Sequence, residues 1–492
     1  MFCGLDFGTS NCSLGIWRNE RPELVPISGA SPYMPSVVYA ERSEYAELPI
    51  NQSTLNRRID AALREENAKR GRATKLGKAY RGLSDQQIEQ RELGLLRHET
   101  VAETESEYSS QTFAEVMNST RTLLFGEDAI RANVSSPGEG LYFKSPKLFL
   151  GADVHKSHLD IFRQVIASMV LEVRDRAETH VGYGLKQAVI GHPVVYSLAN
   201  RESGNRQALE VMEEAALKAG FSDIEFLPEP FAAAMSYEMT TAVEETILVV
   251  DIGGGTTDCA VIQIGPGRAA RANRNKDVLS YAGDRVGGVD MDFHIAWNLI
   301  MPYFGKGSLR VGGLPIPHSV LYDAISISDF PAQARFRKAG PEIASFLLEA
   351  QEPEKLRLLM YLWQRALQFR LVRSAETAKI ELSEKVRASL SLGYIDSELE
   401  IPVSQDDLMN AIQSDLDRIG AVTREAVRLA SAKIDKIFLT GGTSRSPAVI
   451  QSIRSSLNRE VPVLRGDDFG SVTLGLTRHA RNIFGGECLN SK

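Results

Sequence analysis

Apolar residues recur with two different periods along this chain, and their alternation predicts a mixed α/β protein. Short, mostly apolar runs at Ile247–Val250 and Gln187–Gly191 have the length and composition of buried strands. Asp160–Glu178 has helical periodicity, and a further helix is predicted around Asn205–Ala219, followed by a short strand at Ile224–Leu227. Strands that alternate with helices in this way indicate an α/β architecture.

One local pattern occurs twice: an apolar strand, an aspartate, a turn of small residues, and a second apolar strand. The first copy contains Asp6–Asn11, and the second contains Asp251–Asp258. Turns without bulky side chains let backbone N–H groups surround an anion, and Ser or Thr hydroxyls add donors. An aspartate at the strand end suits a hydrated magnesium ion that bridges phosphate oxygens. The repetition predicts two related lobes that grip one nucleotide, and a tight glycine hairpin is the alternative for the second copy.

Residues 41 to 122 differ in composition from the segments around them. Stretches such as 57–66 and 85–93 are polar, helix-forming and only weakly amphipathic. We interpret this region as an exposed accessory subdomain. Farther along, the pair Gly287-Gly288 opens a predicted helix, and the Gly- and Pro-bearing segment Gly305–Pro317 is interpreted as an insertion loop.

Charge and composition favour a protein that binds neither nucleic acid nor membrane. The 492 residues carry a net charge of −7, which provides no basic field over the whole chain. A local basic cluster, Arg268, Arg271, Arg274 and Lys276, lacks interleaved aromatic residues, so a solvated hairpin is favoured over a nucleic-acid patch. No apolar run approaches the ~18 to 20 residues of a membrane span. The four cysteines show no CxxC spacing, and we expect reduced packing thiols in a soluble cytoplasmic protein.

Three motifs in this chain resemble those of the ATPase domain of the heat shock protein 70 (DnaK-type) family. They are Asp6–Asn11, Asp251–Asp258 and Thr440–Pro447, and the last reads Thr-Gly-Gly-Thr-Ser-Arg-Ser-Pro. The resemblance covers roughly residues 1 to 485 and is strongest to short YegD-like members that lack the peptide-binding domain. It implies the two-lobed α/β fold of the actin-like ATPase superfamily, built from duplicated ribonuclease-H-like domains with two accessory subdomains.

The resemblance also implies a domain organisation. Lobe I would span residues 1–246, with an accessory subdomain at about 40–155. Lobe II would span residues 247–485, with an accessory subdomain at about 288–405. A short tail, 486–492, would follow. A DnaK-type chaperone would continue with a linker, a peptide-binding domain and a helical lid, so we expect no peptide capture by that route within this chain.

The family's functional roles carry over to matching residues. Asp6 and Asp251 would hold magnesium through water, and Glu229 would position and polarise the attacking water; with Thr256 they form the expected catalytic set. Considered alone, Glu229 between two prolines also fits a solvent-facing turn carboxylate. The residues expected to bind the nucleotide are Gly8, Thr9, Ser10, Asn11, Gly253, Gly254, Gly255, Thr256, Gly287, Gly288, Glu376, Lys379, Ser383, Gly441, Gly442, Ser444 and Arg445.

Three features of this set follow from physical chemistry as well. Glu376, Lys379 and Ser383 have spacings of three and four, which puts them on one helical face, although an ordinary solvated face has the same spacing. The planar guanidinium of Arg445 could stack on a purine. Gly287-Gly288 would open a helix whose N–H groups favour anions. The resemblance, not the spacing, favours ATP or ADP with Mg²⁺ over a guanine nucleotide.

One departure from the family concerns a lysine of the first lobe that reaches the phosphates. Aligning Gly126–Val134 with that stretch puts Ile130 at the position of the lysine and Arg131 one residue along. Phosphoryl transfer depends mostly on positioning and electrostatic stabilisation. Loss of this charge would slow hydrolysis by about 10²- to 10³-fold, by analogy with removal of one anion-stabilising donor.

We therefore expect an ATP-binding, magnesium-dependent, chaperone-like protein with slow ATP hydrolysis. Its partners would be the adenine nucleotide and a protein client or co-chaperone. Two alternatives stay open. In the first, the chain is a non-catalytic ATP-gated sensor or scaffold, an idea supported by Ile130. In the second, it is an actin-like protein that forms filaments.

Overall fold

The computed structural model of this chain describes residues 1–41, 51–75, 84–96 apart from 87, 90, 91 and 94, 122–135, 140–151, 156–196, 201–269, 271, 274–457 and 459–486. Much of the predicted accessory region 41–122, nearly all of the predicted tail, and Cys488 lie outside the described residues. The other three cysteines, Cys3, Cys12 and Cys259, are free and buried, as expected for packing thiols.

Strands and helices alternate through most of the chain. The strands are β1 (Phe2–Phe7), β2 (Asn11–Arg18), β3 (Arg21–Leu24), β4 (Met34–Pro35), β5 (Val37–Glu41), β6 (Leu123–Phe125), β7 (Gly140–Lys144), β8 (Gln187–His192), β9 (Asp223–Pro228), β10 (Glu245–Ile252), β11 (Thr257–Ile264), β12 (Val278–Asp284), β13 (Arg387–Ser391), β14 (Glu400–Ser404), β15 (Lys436–Thr440) and β16 (Val463–Arg465). The strands predicted around residues 187, 224 and 247 are thereby confirmed.

Some helices pack on the sheets, and others pack mainly on one another. The helices are α1 (Gln52–Lys75), α2 (Gly126–Ser135), α3 (Lys156–Val181), α4 (Arg201–Lys218), α5 (Glu229–Glu238), α6 (Pro266–Ala269), α7 (Gly288–Ile295), α8 (His318–Ile325), α9 (Phe330–Arg337), α10 (Gly340–Glu349), α11 (Pro353–Gln364), α12 (Gln368–Glu381), α13 (Gln405–Ala411), α14 (Gln413–Ala430), α15 (Pro447–Ser455) and α16 (Ser471–Phe484). Single turns of 3₁₀-helix occur at Pro146–Phe149 and Gly442–Arg445, and a π-helical turn occurs at Ala296–Ile300. Among the described helices, none is both long and apolar enough to cross a membrane.

Two sheets share one topology, and each forms the centre of a lobe. The sheet of lobe I has the order β3-β2-β1-β8-β9, and the sheet of lobe II has the order β12-β11-β10-β15-β16. In each sheet the central strand pairs antiparallel with the next strand in sequence and parallel with its other neighbour. The repetition of this order confirms the predicted two-lobed α/β fold of the actin-like ATPase class.

The continuous apolar run in β10 is explained by burial on both faces. Successive side chains of a strand point to opposite faces of the sheet. Leu248 and Val250 therefore join the core of lobe II, whereas Ile247 and Val249 join a separate core between the lobes. All four side chains are fully buried.

The core between the lobes is built around two helices, α5 and α16. α16 follows lobe II in sequence but packs against α5 and against strands β1 and β8 of lobe I. The approach is close at Gly475, where an added Cβ atom would lie 1.7 Å from the backbone oxygen of Ala232. Only glycine fits this contact. A hydrogen bond of 2.6 Å between the hydroxyls of Ser13 and Thr473 also joins the two parts.

The accessory region of lobe I contacts lobe II across the cleft. Its small sheet has the order β6-β5-β7, and α1 confirms the helix predicted around 57–66. The Tyr361 hydroxyl of lobe II lies 3.3 Å from Glu65 of α1. Arg72 of α1 donates to the Ser397 hydroxyl at 3.0 Å. The described part of this subdomain therefore forms one wall of the cleft.

The basic cluster before β12 is an ion-pair network. Arg268 and Arg271 donate to Asp277 at 2.7 and 2.9 Å, and Arg274 donates to both Asp277 and Glu238. Asp277 and Glu238 are buried. These arginines therefore face acidic partners within the fold, whereas a solvated hairpin was expected.

Candidate functional site

Both copies of the repeated pattern line one cavity of about 370 Å³ between the lobes. The first turn joins β1 to β2, and the second turn joins β10 to β11. Asp6 lies near the end of β1, and Asp251 lies near the end of β10. Because β1 and β10 are the central strands of related sheets, their ends and turns meet across the cleft.

Nearly all the residues predicted to form the site line this cavity. They are Asp6, Gly8, Thr9, Ser10, Asn11, Glu229, Asp251, Gly253, Gly254, Thr256, Gly288, Glu376, Lys379, Ser383, Gly441, Gly442 and Arg445. The three exceptions, Gly255, Gly287 and Ser444, support the loops from behind. An added Cβ at Gly287 would lie 2.6 Å from the backbone of Gly254, and the Ser444 hydroxyl donates to the Gly441 oxygen at 2.7 Å.

A buried lysine that the sequence analysis did not identify lies in this cavity. Lys147 Nζ donates to Glu229 Oε1 at 2.5 Å, and the two side chains are 5% and 8% exposed. Lys147 belongs to the 3₁₀ turn Pro146–Phe149, which directly follows β7. The sequence signal was its setting, with a proline before it and the apolar pair Leu148-Phe149 after it, which is typical of a buried turn. Because a lysine is rarely buried without a partner, this setting indicates a buried ion pair.

The alignment that put Ile130 at the position of the phosphate-directed lysine is therefore wrong. Ile130 lies on α2 and packs in the accessory cluster with Tyr142 and Phe369, outside this cavity. Arg131 is largely exposed and pairs with Asp128 on its own helix. The turn after β7, and not α2, reaches the cavity, so the first lobe does supply a cation there.

Carboxyl groups crowd around Lys147. Burial and the charge of Glu229 raise the pKa of Asp6 to about 7. Burial, and then Glu229, also raise the pKa of Asp258 to about 7, and the same causes raise the pKa of Asp251 well above its ordinary value. Burial favours the neutral form of Lys147, but the charge of Glu229 outweighs it and raises the lysine's pKa. The result is a cavity in which several buried carboxyl groups share Lys147.

This donor set fits a hydrated magnesium ion with a bound nucleotide. Mg²⁺ usually keeps several waters and is held by one or two carboxylates together with substrate phosphates. Asp6 and Asp251 are hard oxygen donors beside two small-residue loops, and burial, followed by the charge of Glu229, raises the pKa of both carboxyl groups. Among the described residues, no three His, Cys, Asp or Glu side chains are grouped to hold a metal ion. Two carboxylates with phosphate oxygens are the arrangement that these residues could supply.

The start of α7 has a different use from the predicted one. The N–H groups of Gly288 and Val289 donate to the oxygens of Gly253 and Gly254 at 3.1 and 2.7 Å. The N–H of Gly287 donates to the Asp290 side chain at 2.9 Å. These N–H groups are therefore occupied within the protein. The glycine pair shapes the second loop instead of presenting free donors to an anion.

The residues predicted to share one face of α12 all line the cavity. Lys379 Nζ donates to the Gly288 oxygen at 2.8 Å and lies 2.7 Å from Asp292 Oδ1, which ties α12 to α7. Glu376 accepts a hydrogen bond from Lys144 of lobe I at 3.1 Å. Burial opposes ionisation of Glu376, but Lys144 and Lys379 together lower its pKa. This face is consequently ordered by ion pairs and is not an ordinary solvated surface.

Arg445 occupies the opposite part of the cavity wall. It follows Gly441, whose φ of +81° is left-handed and suits glycine. The Arg445 guanidinium pairs with Asp468 and lies 5.9 Å from the centroid of the Phe469 ring. Its planar group is thus held at the edge of the cavity.

The repeated sheets and the cavity between them define an actin-like ATPase fold. The model of the Hsp70 protein family matches residues 152–308 and 350–473, which is more than half of the chain. The chain therefore belongs to the Hsp70 protein family.

The individual relatives share less than 30% sequence identity with this chain over the matched residues. The chain is 29% identical to chaperone protein DnaK of Thermus thermophilus over 308 residues, which is 60% of this chain and 40% of the relative. It is 27% identical to chaperone protein DnaK of Elusimicrobium minutum over 310 residues, which is 61% of this chain and 40% of the relative. The chain thus matches less than half the length of these curated relatives.

Proposed function

We propose that this chain binds ATP with magnesium in the interlobe cavity, hydrolyses it there, and acts as a chaperone-like protein. The observation that carries the proposal is the convergence in one cavity of Asp6, Asp251, both small-residue loops and the buried Lys147–Glu229 pair. A cavity of this size matches those that hold small ligands and cofactors. The crowding of buried carboxyl groups also favours a ligand that arrives with a divalent cation.

The side chains around the cavity have distinct tasks in this proposal. Lys147 would reach the transferring phosphate, and it orients Glu229 through their hydrogen bond. Glu229, fixed by that contact, would accept a hydrogen bond from an attacking water and hold it in line. Asp6 and Asp251 would hold the magnesium ion through water. When bound, that ion would offset the phosphate charge.

Hydrolysis is favoured over a purely non-catalytic role. The reason for expecting slow hydrolysis was the absence of a phosphate-directed lysine, and Lys147 removes that reason. Phosphoryl transfer needs mainly positioning and charge stabilisation, both of which this cavity could supply.

The chaperone-like part rests on the relatives named chaperone protein DnaK. We infer that ATP occupancy sets the closure of the lobes and thereby the binding of a protein client or co-chaperone in the cytoplasm. Contacts such as Lys144–Glu376 join the two sides of the cleft, so closure would be sensed on both lobes.

Single-turnover conversion of bound ATP to ADP tests the proposal. The wild-type chain with magnesium should convert ATP, and Asp251→Asn and Glu229→Gln should reduce conversion by about 10²-fold or more. Asp396→Asn, a change at a surface carboxylate outside the cavity, is the matched control and should convert normally. Tight ATP binding without conversion would make the chain a nucleotide-gated binding protein. Absence of ATP binding would refute the proposal as a whole.

A further inference from the structure

The turn that carries Lys147 belongs to lobe I but is held from lobe II. We refer to Pro146–Phe149 as the lysine turn. Arg285 of lobe II reaches across the cleft, and its Nη2 atom donates to the Leu148 backbone oxygen at 2.6 Å. Leu148 directly follows Lys147 in sequence. This hydrogen bond therefore fixes the backbone next to the buried lysine.

The side chain of Leu148 makes a second contact with lobe II. Its neighbour Phe149 is buried in the core of lobe I. Leu148 instead lies against the second small-residue loop, where an added Cβ atom at Gly255 would overlap its side chain. Because glycine has no side chain, the loop and the lysine turn can approach closely. The lysine turn thus contacts lobe II through a backbone oxygen and through an apolar side chain.

The backbone around Arg285 is itself held firmly in lobe II. Arg285 lies in the short connection between β12 and α7. Arg418 of α14 donates to both carboxylate oxygens of Asp284 at 2.9 and 2.7 Å, and to the Arg285 backbone oxygen at 3.0 Å. The Val286 oxygen accepts a hydrogen bond of 2.8 Å from the Thr257 hydroxyl. Since the backbone is fixed on both sides of Arg285, its side chain couples the position of lobe II to the lysine turn.

An ordinary ion pair does not explain the half-buried Arg285. Within the part of the chain that the structure describes, no carboxylate forms an ion pair with it, and burial lowers the pKa of its guanidinium against the attraction of Asp290. Arg274, by contrast, pairs with the buried carboxylates of Glu238 and Asp277. Removing a cation from water without a carboxylate partner costs free energy. What Arg285 gains in return is a contact with the opposite lobe.

We propose that Arg285 is a positioning residue for Lys147, which it places by holding the lysine turn from lobe II. This inference rests on the proposed function, because it concerns the lysine that would reach the transferring phosphate. Arg285 does not line the interlobe cavity, so it acts through the turn and does not touch the nucleotide. Because the two residues belong to different lobes, Lys147 is fully positioned only while the lobes are closed.

Single-turnover conversion of ATP to ADP, combined with ATP affinity from calorimetry, tests this role. Arg285→Met keeps the apolar stem and removes the donor. It should slow conversion about tenfold or more, because a small displacement of a catalytic group is costly to the rate. ATP affinity should change less than about twofold, because the lost positioning acts on the transition state. Arg285→Lys keeps a cationic donor and should restore most of the rate. Arg428→Met, at an exposed arginine paired with Glu425, is the matched control and should behave as wild type.

A double variant separates positioning from a general loss of structure. Without Lys147 there is no lysine for Arg285 to position, so Lys147→Met/Arg285→Met should convert ATP as fast as Lys147→Met alone. Equal slowing by Arg285→Met in the presence and absence of Lys147 would overturn the inference. Leu148→Ala removes the second contact with lobe II and tests the same anchor if Arg285→Met does not fold. It should slow conversion in the wild-type background only, and an unchanged rate there would also contradict the inference.

The wild-type measurement distinguishes failure of this inference from failure of the proposed function. If wild-type protein converts ATP and folded Arg285→Met converts it equally fast, the positioning role is wrong and the proposed function stands. If wild-type protein does not convert ATP, the proposed hydrolysis fails and the positioning role fails with it.

Discussion

Removal of the positive charge at Lys147 is the sharpest perturbation that the structure offers. Lys147→Met keeps the length and the apolar stem of the side chain but leaves Glu229 without its cation. Both side chains are nearly fully buried, and the bond between them is 2.5 Å long. Loss of Lys147 also removes the charge that partly offsets the raised pKa of Asp6. The substitution therefore leaves a group of unpaired acidic side chains in the cavity.

The expected magnitude follows from the burial of the pair. Breaking a buried ion pair by removing one partner costs about 3 to 5 kcal/mol, because the other charge is left uncompensated. We expect a loss of about 3 kcal/mol in the free energy of unfolding, since the cavity admits some solvent. In the double variant Lys147→Met/Glu229→Gln neither charge remains, and stability should return to within about 1 kcal/mol of wild type. ATP turnover should stay about 10²- to 10³-fold low in both variants.

Urea unfolding followed by circular dichroism gives the stabilities, and single-turnover assays give the rates. Lys385→Met is the matched control, because both side chains of the Lys385–Glu381 pair are largely exposed and its loss should cost less than about 1 kcal/mol. The reasoning would be refuted if Lys147→Met were as stable as wild type, or if the double variant were less stable than either single variant. Full ATP turnover in Lys147→Met would refute the role of Lys147 at the phosphates.

Three further outcomes are expected. Gly475→Ala should destabilise the chain by about 3 kcal/mol in urea unfolding, because its Cβ would lie 1.7 Å from Ala232 O, and wild-type stability would contradict the contact between α16 and α5. The hydrogen bond to Asp415, against the effect of burial, raises the pKa of His294, so its stabilisation is present below pH 6.5 and lost as pH rises through the raised value. His294→Asn should therefore cost about 1 kcal/mol at pH 5.5 and much less at pH 9, and an equal cost at both pH values would contradict this. Removal of magnesium with a chelator should weaken ATP binding to the wild-type chain but change it little in Asp251→Asn, as calorimetry would show.

The general fold was predictable because its signals are local and repeated. The strand–aspartate–turn pattern occurs in both halves, and each copy has the apolar run of a strand buried on two faces. The order of the two sheets then follows from the same pattern folding in the same way twice. The sequence did not predict where α16 packs, because the apolar face of a helix does not indicate which element covers it. The contact of Gly475 with Ala232 of α5 joins residues that are distant in sequence, so no local pattern predicts it.

Most residues of the glycine loops and the predicted face of α12 line one cavity, and their binding of a nucleotide stays a prediction. The part of the cavity formed by a turn was not predicted. Lys147 was missed because the alignment was anchored on the helix after Gly126, whereas the side chain reaches the cavity from the turn after β7. The network around Asp277 was missed because pairing depends on carboxylates distant in sequence, such as Glu238.

The packing of α16 on the strand that begins the chain has a consequence for biosynthesis. The Ser13–Thr473 hydrogen bond joins residues separated by 460 positions. At about 5 to 20 residues per second, a ribosome needs roughly 20 to 90 seconds to make the intervening chain. During that time β1 and β2 are outside the exit tunnel, but the helix that covers them has not been made. The nascent first lobe therefore displays an uncovered apolar sheet for tens of seconds, and is itself a candidate client for the chaperones that act on nascent chains.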